Sequence, residues 1–295
     1  MSHKSKGLFF GVLAAATYGM NPLFALPLYS DGMSVESVLA MRYTFAALTL
    51  GLMMVYRKVS FDLTRKQLVA VASLGITMAL SSLTLFYSYN YMEAGIASTL
   101  YPLLVALLMG VIYRERISKV TGLSLLMATL GIVMLMFGKP GVVLSGVGVI
   151  LVMISALTYA IYIIGVNKSA ASQLSTLKLT FYVITFGALL YDVIVAVHGP
   201  LILPHNPWRW VNVFALALLP TVVSLVSTTI AIQNVGSTIT AILGVFEPVT
   251  AVFFGILVFD ERLTGREVVG IVMIMLAVCT VIAAGNRKQT AKDAK

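Results

Sequence analysis

Charge is what this chain has least of. Asp, Glu, Lys and Arg together make up 11% of its 295 residues, against roughly 25% in a soluble domain, so it cannot clothe a globular surface against water. Cysteine occurs once, as Cys279 in the last apolar run, which excludes an intramolecular disulfide and any cysteine-based metal site. The histidines are His3, His198 and His205, two of them in one proline-rich loop, too sparse a set for metal-assisted hydrolysis. The chain holds no GxxxxGK[ST] phosphate loop and therefore no such ATP site. No cofactor is expected.

What is present is apolar length. Hydrophobic residues are 59% of the chain, and a helix crosses a bilayer with roughly 20 of them in a row. The runs predict ten spans, 7–29, 34–56, 67–91, 94–113, 119–137, 146–167, 175–198, 209–234, 236–259 and 265–284. The first run is too long for the apolar region of a signal peptide, roughly 7–15 residues, and is read as a span. The connections leave no room for a soluble domain. A net charge of +9 could suggest a nucleic-acid partner, but the Lys and Arg residues sit in short loops between apolar runs. They report topology, and no nucleic acid is expected.

With ten spans, 14 Lys and Arg fall on the side of the N-terminus and 4 on the other. Positive loops stay in the cytoplasm, so both termini are expected there, in a multi-pass protein of the plasma (cytoplasmic) membrane. Arg42 and Lys178 lie inside or at the ends of spans.

The chain also repeats itself. Tyr101-Pro102 precedes Glu115-Arg116 as Glu247-Pro248 precedes Glu261-Arg262, with the same spacing of 13 from proline to glutamate. These blocks are offset by 146, Thr17-Tyr18 and Thr158-Tyr159 by 141, and the Arg42 and Lys178 blocks, with their Thr, Phe and Gly positions, by 136. Two five-helix halves, 1–141 and 142–295, follow, and an odd helix number inserts the second upside down. The expected fold is an all-α integral membrane protein of ten transmembrane helices in two inverted repeats around a central cavity. Such repeats build many secondary transporters, with the solute site near the midplane.

These blocks, together with Thr17-Tyr18-Gly19-x-Asn21-Pro22 in span 1 and the glycines Gly122 and Gly270, resemble the EamA-type family of the drug/metabolite transporter superfamily over nearly the whole chain. The resemblance implies a ten-helix exporter of amino acids or other small metabolites around a central cavity. One departure stands out. The family's Glu-Pro is present at Glu247-Pro248 but is Tyr101-Pro102 in the first half.

Glu247 falls midway along span 9, where a carboxylate must face the bundle interior, since insertion scales charge about 2.5–3.5 kcal/mol for an acidic residue at mid-helix. It could bind an amino or cationic group, carry a coupling proton, or tether span 9 to a neighbour. Pro22, Pro102 and Pro248 fall near the middle of spans 1, 4 and 9 and are expected to bend them around the cavity, a break tolerated in lipid where a neighbour or a cavity satisfies the backbone. Arg42 could meet a solute carboxylate, close a gate with Asp192 as partner, or snorkel along its apolar stem; Lys178 is read as snorkelling. Tyr18, Asn21, Tyr101 and Tyr159 are the expected lining of the cavity, with Tyr87, Asn90, Gln233 and Asn234 added on weaker grounds. The Glu-Arg pairs are read as loop architecture.

The reading that follows is a secondary transporter exporting a small metabolite, amino acids or related solutes among the candidates, by alternating access. The alternative is a proton-coupled efflux carrier for cationic drugs with Glu247 as its anionic anchor. An integral-membrane enzyme lacks the clustered chemistry, and a channel lacks a ring of like charges. The partners are a small-molecule metabolite, the lipid bilayer and, for coupling, a proton; the oligomeric state is open.

Overall fold

The computed structural model describes residues 3–92, 97, 98, 100–102, 104, 105, 108, 119–136, 145–259, 264–266, 268–277 and 280, and every regular element among them is helical. The helices are α1 (His3–Tyr18), α2 (Asn21–Ser30), α3 (Val35–Tyr56), α4 (Arg65–Ser88), α5 (Lys119–Met136), α6 (Gly146–Lys168), α7 (Thr176–His198), α8 (Arg209–Ala217), α9 (Ser224–Val235), α10 (Ser237–Leu243) and α11 (Glu247–Phe259). Six stretches of 22 to 28 residues are long and apolar enough to cross a membrane, and shorter apolar helices accompany them. The described part of the predicted span 94–113 is helical, while both Glu-Arg loops and the basic tail lie outside the described residues.

Helix starts follow local chemistry. Ser34 and Ser145 accept from the backbone N–H three residues on and so cap α3 and α6, and Thr64 with Gln67 makes a reciprocal capping box at the start of α4. The polarity of the bundle is reversed relative to a soluble protein. Leu52, Ile150, Met153 and Val193 face outward, while Arg42, Ser81, Ser155, Thr180, Ser224, Thr229 and Glu247 are buried. Lipid solvates the outside, so polar side chains turned inward find partners on neighbouring helices.

Proline does more than bend. Span 1, expected as one kinked helix, stops at Tyr18 and restarts at Asn21 with Pro22 in the new first turn. Span 9 likewise changes at a 3-10 turn, Gly244–Phe246, before α11 begins at Glu247 with Pro248 second. Proline is preorganised for a helical first turn, where the N–H it lacks would have no partner, so each span becomes two helices rather than one bent one. The two breaks meet. A Cβ on Gly19 would lie 2.5 Å from the carbonyl oxygen of Glu247, so only glycine lets the backbones come this close. Pro220 opens a π-turn over Leu218–Val223 between α8 and α9. It cannot donate to the Leu216 carbonyl, and the Thr221 hydroxyl does so at 2.8 Å instead.

Contacts between the halves are made in matched pairs. The most extensive are α1 on α9, α4 on α6 and α3 on α7. Ser224 Oγ donates to the Ala14 carbonyl at 3.0 Å, and Ser81 Oγ to the Ser155 carbonyl at 3.0 Å. Shifting Ala14 by 141 and Ser81 by 143 turns one bond into the other. The same two shifts relate Gly7, where a Cβ would meet Val235 at 2.7 Å, to Gly148, where a Cβ would meet Met92 at 2.7 Å.

Candidate functional site

A small cavity that opens outward lies among α1, the helical residues Tyr101, Pro102 and Val105, α6, α9, α10 and α11. Its widest-spaced walls are rings. Tyr18, Tyr101 and Tyr159 form a triangle with centroids 6.1, 6.3 and 5.5 Å apart, and Tyr18 and Tyr159 are stacked at 19°. Beside them Glu247, 5% exposed, is the charged residue of the lining. Four of these positions are two pairs under the repeat shifts: Tyr18 with Tyr159, and Tyr101 with Glu247. The site therefore sits where the two halves meet.

From this layer the cavity runs toward the face that carries the N-terminus. Its lining continues along α1 to Gly11, along α6 to Ile163, along α9 to Thr228 and back along α10 to Thr240. That these positions lie toward that face follows from their neighbours: Gly7 packs on Val235, and Ser237 Oγ bonds the Ile163 carbonyl. Ala14, Ala15 and Gly244 leave the room, being too small to fill it, while Gly11 is covered by the Leu243 side chain. Toward the opposite face the bundle is packed. Tyr43 and Tyr191 meet edge to face at 4.9 Å, Tyr43 shares a hydrogen bond with Ser82 at 2.7 Å, and Tyr29, Phe86 and Tyr89 stack above.

Arg42 lies in that packed layer and is fully buried. Its Nε donates to Thr221 Oγ1 at 2.6 Å and its Nη2 to the Pro220 carbonyl at 3.2 Å. The rings of Phe86, Tyr43 and Tyr18 lie 5.1, 5.8 and 6.0 Å from the guanidinium carbon. The two alternatives of snorkelling and pairing with Asp192 both give way. Arg42 is held inside by the π-turn of Pro220, while Asp192 is exposed on α7. Lys178, half-buried, does end at an interface, donating to the Asp62 carbonyl.

The other expected lining residues are scattered. Pro102 lines the cavity beside Tyr101. Asn21 is 1% exposed at the start of α2, and neither of its amide atoms has a partner among the described residues. Pro22 and Pro248 sit behind the site as helix starts. Tyr87 is drawn to the opposite face, where its hydroxyl donates to Glu36, and Asn90 is exposed beyond the end of α4. Gln233 and Asn234 close the N-terminal face instead: Gln233 bonds Thr176 and the Leu174 carbonyl, and Asn234 bonds the Ile230 carbonyl and His3. Unforeseen in the sequence were Ser224, Thr228 and Thr240 in the lining, and Pro220-Thr221 as the seat of Arg42. A Pro-Thr pair inside an apolar span was the available signal for the latter.

Comparison with known proteins agrees with this architecture. The model of the EamA-like transporter family matches the chain twice, over residues 5–137 and 146–283. No curated protein matches it. One solved structure, titled "Crystal structure of protein", superposes with a TM-score of 0.80 at 17% identity, over 96% of this chain and 99% of that one, and so shares the fold.

Proposed function

The chain belongs to the EamA-like transporter family and is a multi-pass membrane protein, and from that premise we propose that it is a secondary transporter exporting a small metabolite that carries an amino group. Amino acids and related solutes are the leading class. The observation that carries this reading is the cavity itself, lined by a tyrosine triangle with one carboxyl group beside it, from two repeat-related pairs. Aromatic faces attract a cation within about 6 Å, and a carboxylate supplies the charge-assisted hydrogen bond. Glu247 is the lining residue that can alternate between a solute amine and a coupling proton.

The halves, 1–141 and 142–295, are read as inserted in opposite senses, which accounts for the serine and glycine contacts between them being made twice. With both termini in the cytoplasm, the described state opens inward and is sealed outside by the Arg42 and Tyr43 layer. Export then requires the mirror state, in which the second set of contacts loosens. One observation favours the alternative of a cationic drug: among the described residues the lining includes Glu247 but no Lys or Arg.

The test is metabolite profiling of cells with and without the protein, followed by uptake of the hits into proteoliposomes under an imposed pH gradient. The expected hits carry amines, and Glu247→Gln should lower their uptake by about tenfold or more, the loss of a charged hydrogen bond being about 1.5–3 kcal/mol. Chemical conversion of the hits without their movement would overturn the reading.

A further inference from the structure

The packing of the π-turn explains only part of Arg42. Two arms of the guanidinium hold Thr221 and the Pro220 carbonyl, work that neutral donors could do. The third, Nη1, is buried with no partner among the described residues, and no described acidic side chain pairs with the charge. The rings of Phe86, Tyr43 and Tyr18, 5.1 to 6.0 Å away, offset part of the positive charge, but no described anion neutralises it. A buried charge left in that state is strongly unfavourable unless something supplies its counter-charge. Beside it, Tyr18 is shared: its ring walls the cavity and also approaches the guanidinium, and its hydroxyl is a second buried polar atom without a described partner.

We propose that Arg42 Nη1, with the Tyr18 hydroxyl, forms an anion subsite beside Tyr18 and outside the cavity lining. Its occupant is a small monovalent anion, either the carboxylate of the carried solute or a free halide. Guanidinium and phenol both donate, the chemistry an anion requires. Tyr18 is the partition, and movement of its ring connects the subsite to the Glu247 side. A solute carrying both an amine and a carboxylate would then meet Glu247 with one end and Arg42 with the other. The subsite deepens the transport reading and rests on it for its role.

The experiment is thermal unfolding of the purified protein in nanodiscs of neutral lipid, at fixed ionic strength, in sodium gluconate, acetate or chloride. Gluconate serves as the anion too bulky for the subsite. Phenylalanine and phenethylamine, the same ring and amine with and without a carboxylate, are compared in gluconate. Stabilisation by acetate, and by phenylalanine beyond phenethylamine, assigns the subsite to the solute's carboxylate; stabilisation by chloride alone assigns it to a free halide. Either response should vanish in Arg42→Gln. If that variant does not fold, Tyr18→Phe reads the same subsite, with the half-saturating anion concentration rising several-fold. No anion response in the wild-type protein, or one unchanged in the variant that folds, overturns the proposal. These measurements run without transport. Intact uptake with no anion response refutes the subsite alone, whereas an anion response with no uptake of any amine refutes the transport reading alone.

Discussion

The two halves of the chain agree in their packing and differ in their charges. Ser81 and Ser224 make the same serine-to-carbonyl bond, Gly7 and Gly148 admit the same neighbour, and Tyr18 stacks on Tyr159 across the centre. Yet Tyr101 stands where its counterpart is Glu247, and buried Arg42 where its counterpart is Lys178, at the edge of the bundle. Duplication supplies the frame. Of the unmatched residues, Glu247 lines the cavity with Tyr18 and Arg42 lies 6.0 Å from the Tyr18 ring.

The sharpest break in that symmetry is Gly19, whose counterpart is Ala160. Gly19→Val should abolish recovery of folded, monodisperse protein, because a Cβ would collide with the Glu247 carbonyl at 2.5 Å. Ala160→Gly, on an intact helix, should cost only about 1–2 kcal/mol in thermal unfolding, for helix propensity and one buried methyl. A folded Gly19→Val would mean that the breaks in spans 1 and 9 do not touch. Next in size is the central pair. Glu247→Gln should reduce proteoliposome uptake by about 10- to 100-fold, and Tyr101→Phe by about 2- to 10-fold, as expected of charged against neutral hydrogen bonds. Equal losses would make the carboxylate no more than a second tyrosine.

The matched serines predict a smaller effect. Ser224→Ala should lose about 1 kcal/mol of stability, the net worth of one buried hydrogen bond, and Ser81→Ala somewhat more, since its hydroxyl also shares a bond with Ser155 Oγ at 3.1 Å. A smaller loss for Ser81→Ala than for Ser224→Ala in unfolding measurements would contradict this. Smallest is Lys178→Gln, which should change stability by less than about 0.5 kcal/mol, as surface substitutions do; a large loss would place that lysine with Arg42 rather than at an interface.

Much of this was legible in the sequence. Apolar run lengths marked the six long described spans to within a few residues, and the repeat shifts singled out Tyr18, Tyr101, Tyr159 and Glu247, which the fold does bring together. The rotation of each helix was not legible. In lipid both faces of a helix are apolar, so the 3.6-residue period that marks a buried face in a soluble protein is faint. Ser224, Thr228 and Thr240 went unnoticed in the lining for that reason, and Tyr87, Asn90, Gln233 and Asn234 were grouped with a cavity from which their positions at helix ends remove them. The partner of Arg42 was sought among acids, because charge pairing is the common rule. The fold uses instead a hydroxyl and a carbonyl exposed by Pro220, and their recruitment depends on where α3 crosses the π-turn.

The central claim is that one face of a duplicated frame is open while its counterpart is closed. Thr228, 3% exposed, lines the cavity, whereas the residue 143 positions earlier, Leu85, is 1% exposed and does not line it. With Cys279 replaced by alanine, Thr228→Cys and Leu85→Cys can be probed with an impermeant thiol reagent added to one face of reconstituted vesicles at a time. The account predicts that Thr228→Cys reacts from the N-terminal face and Leu85→Cys is silent, and that a transported amine slows the first while exposing the second to the opposite face. A Thr228→Cys that never reacts, or a Leu85→Cys that reacts from the N-terminal face, would contradict it.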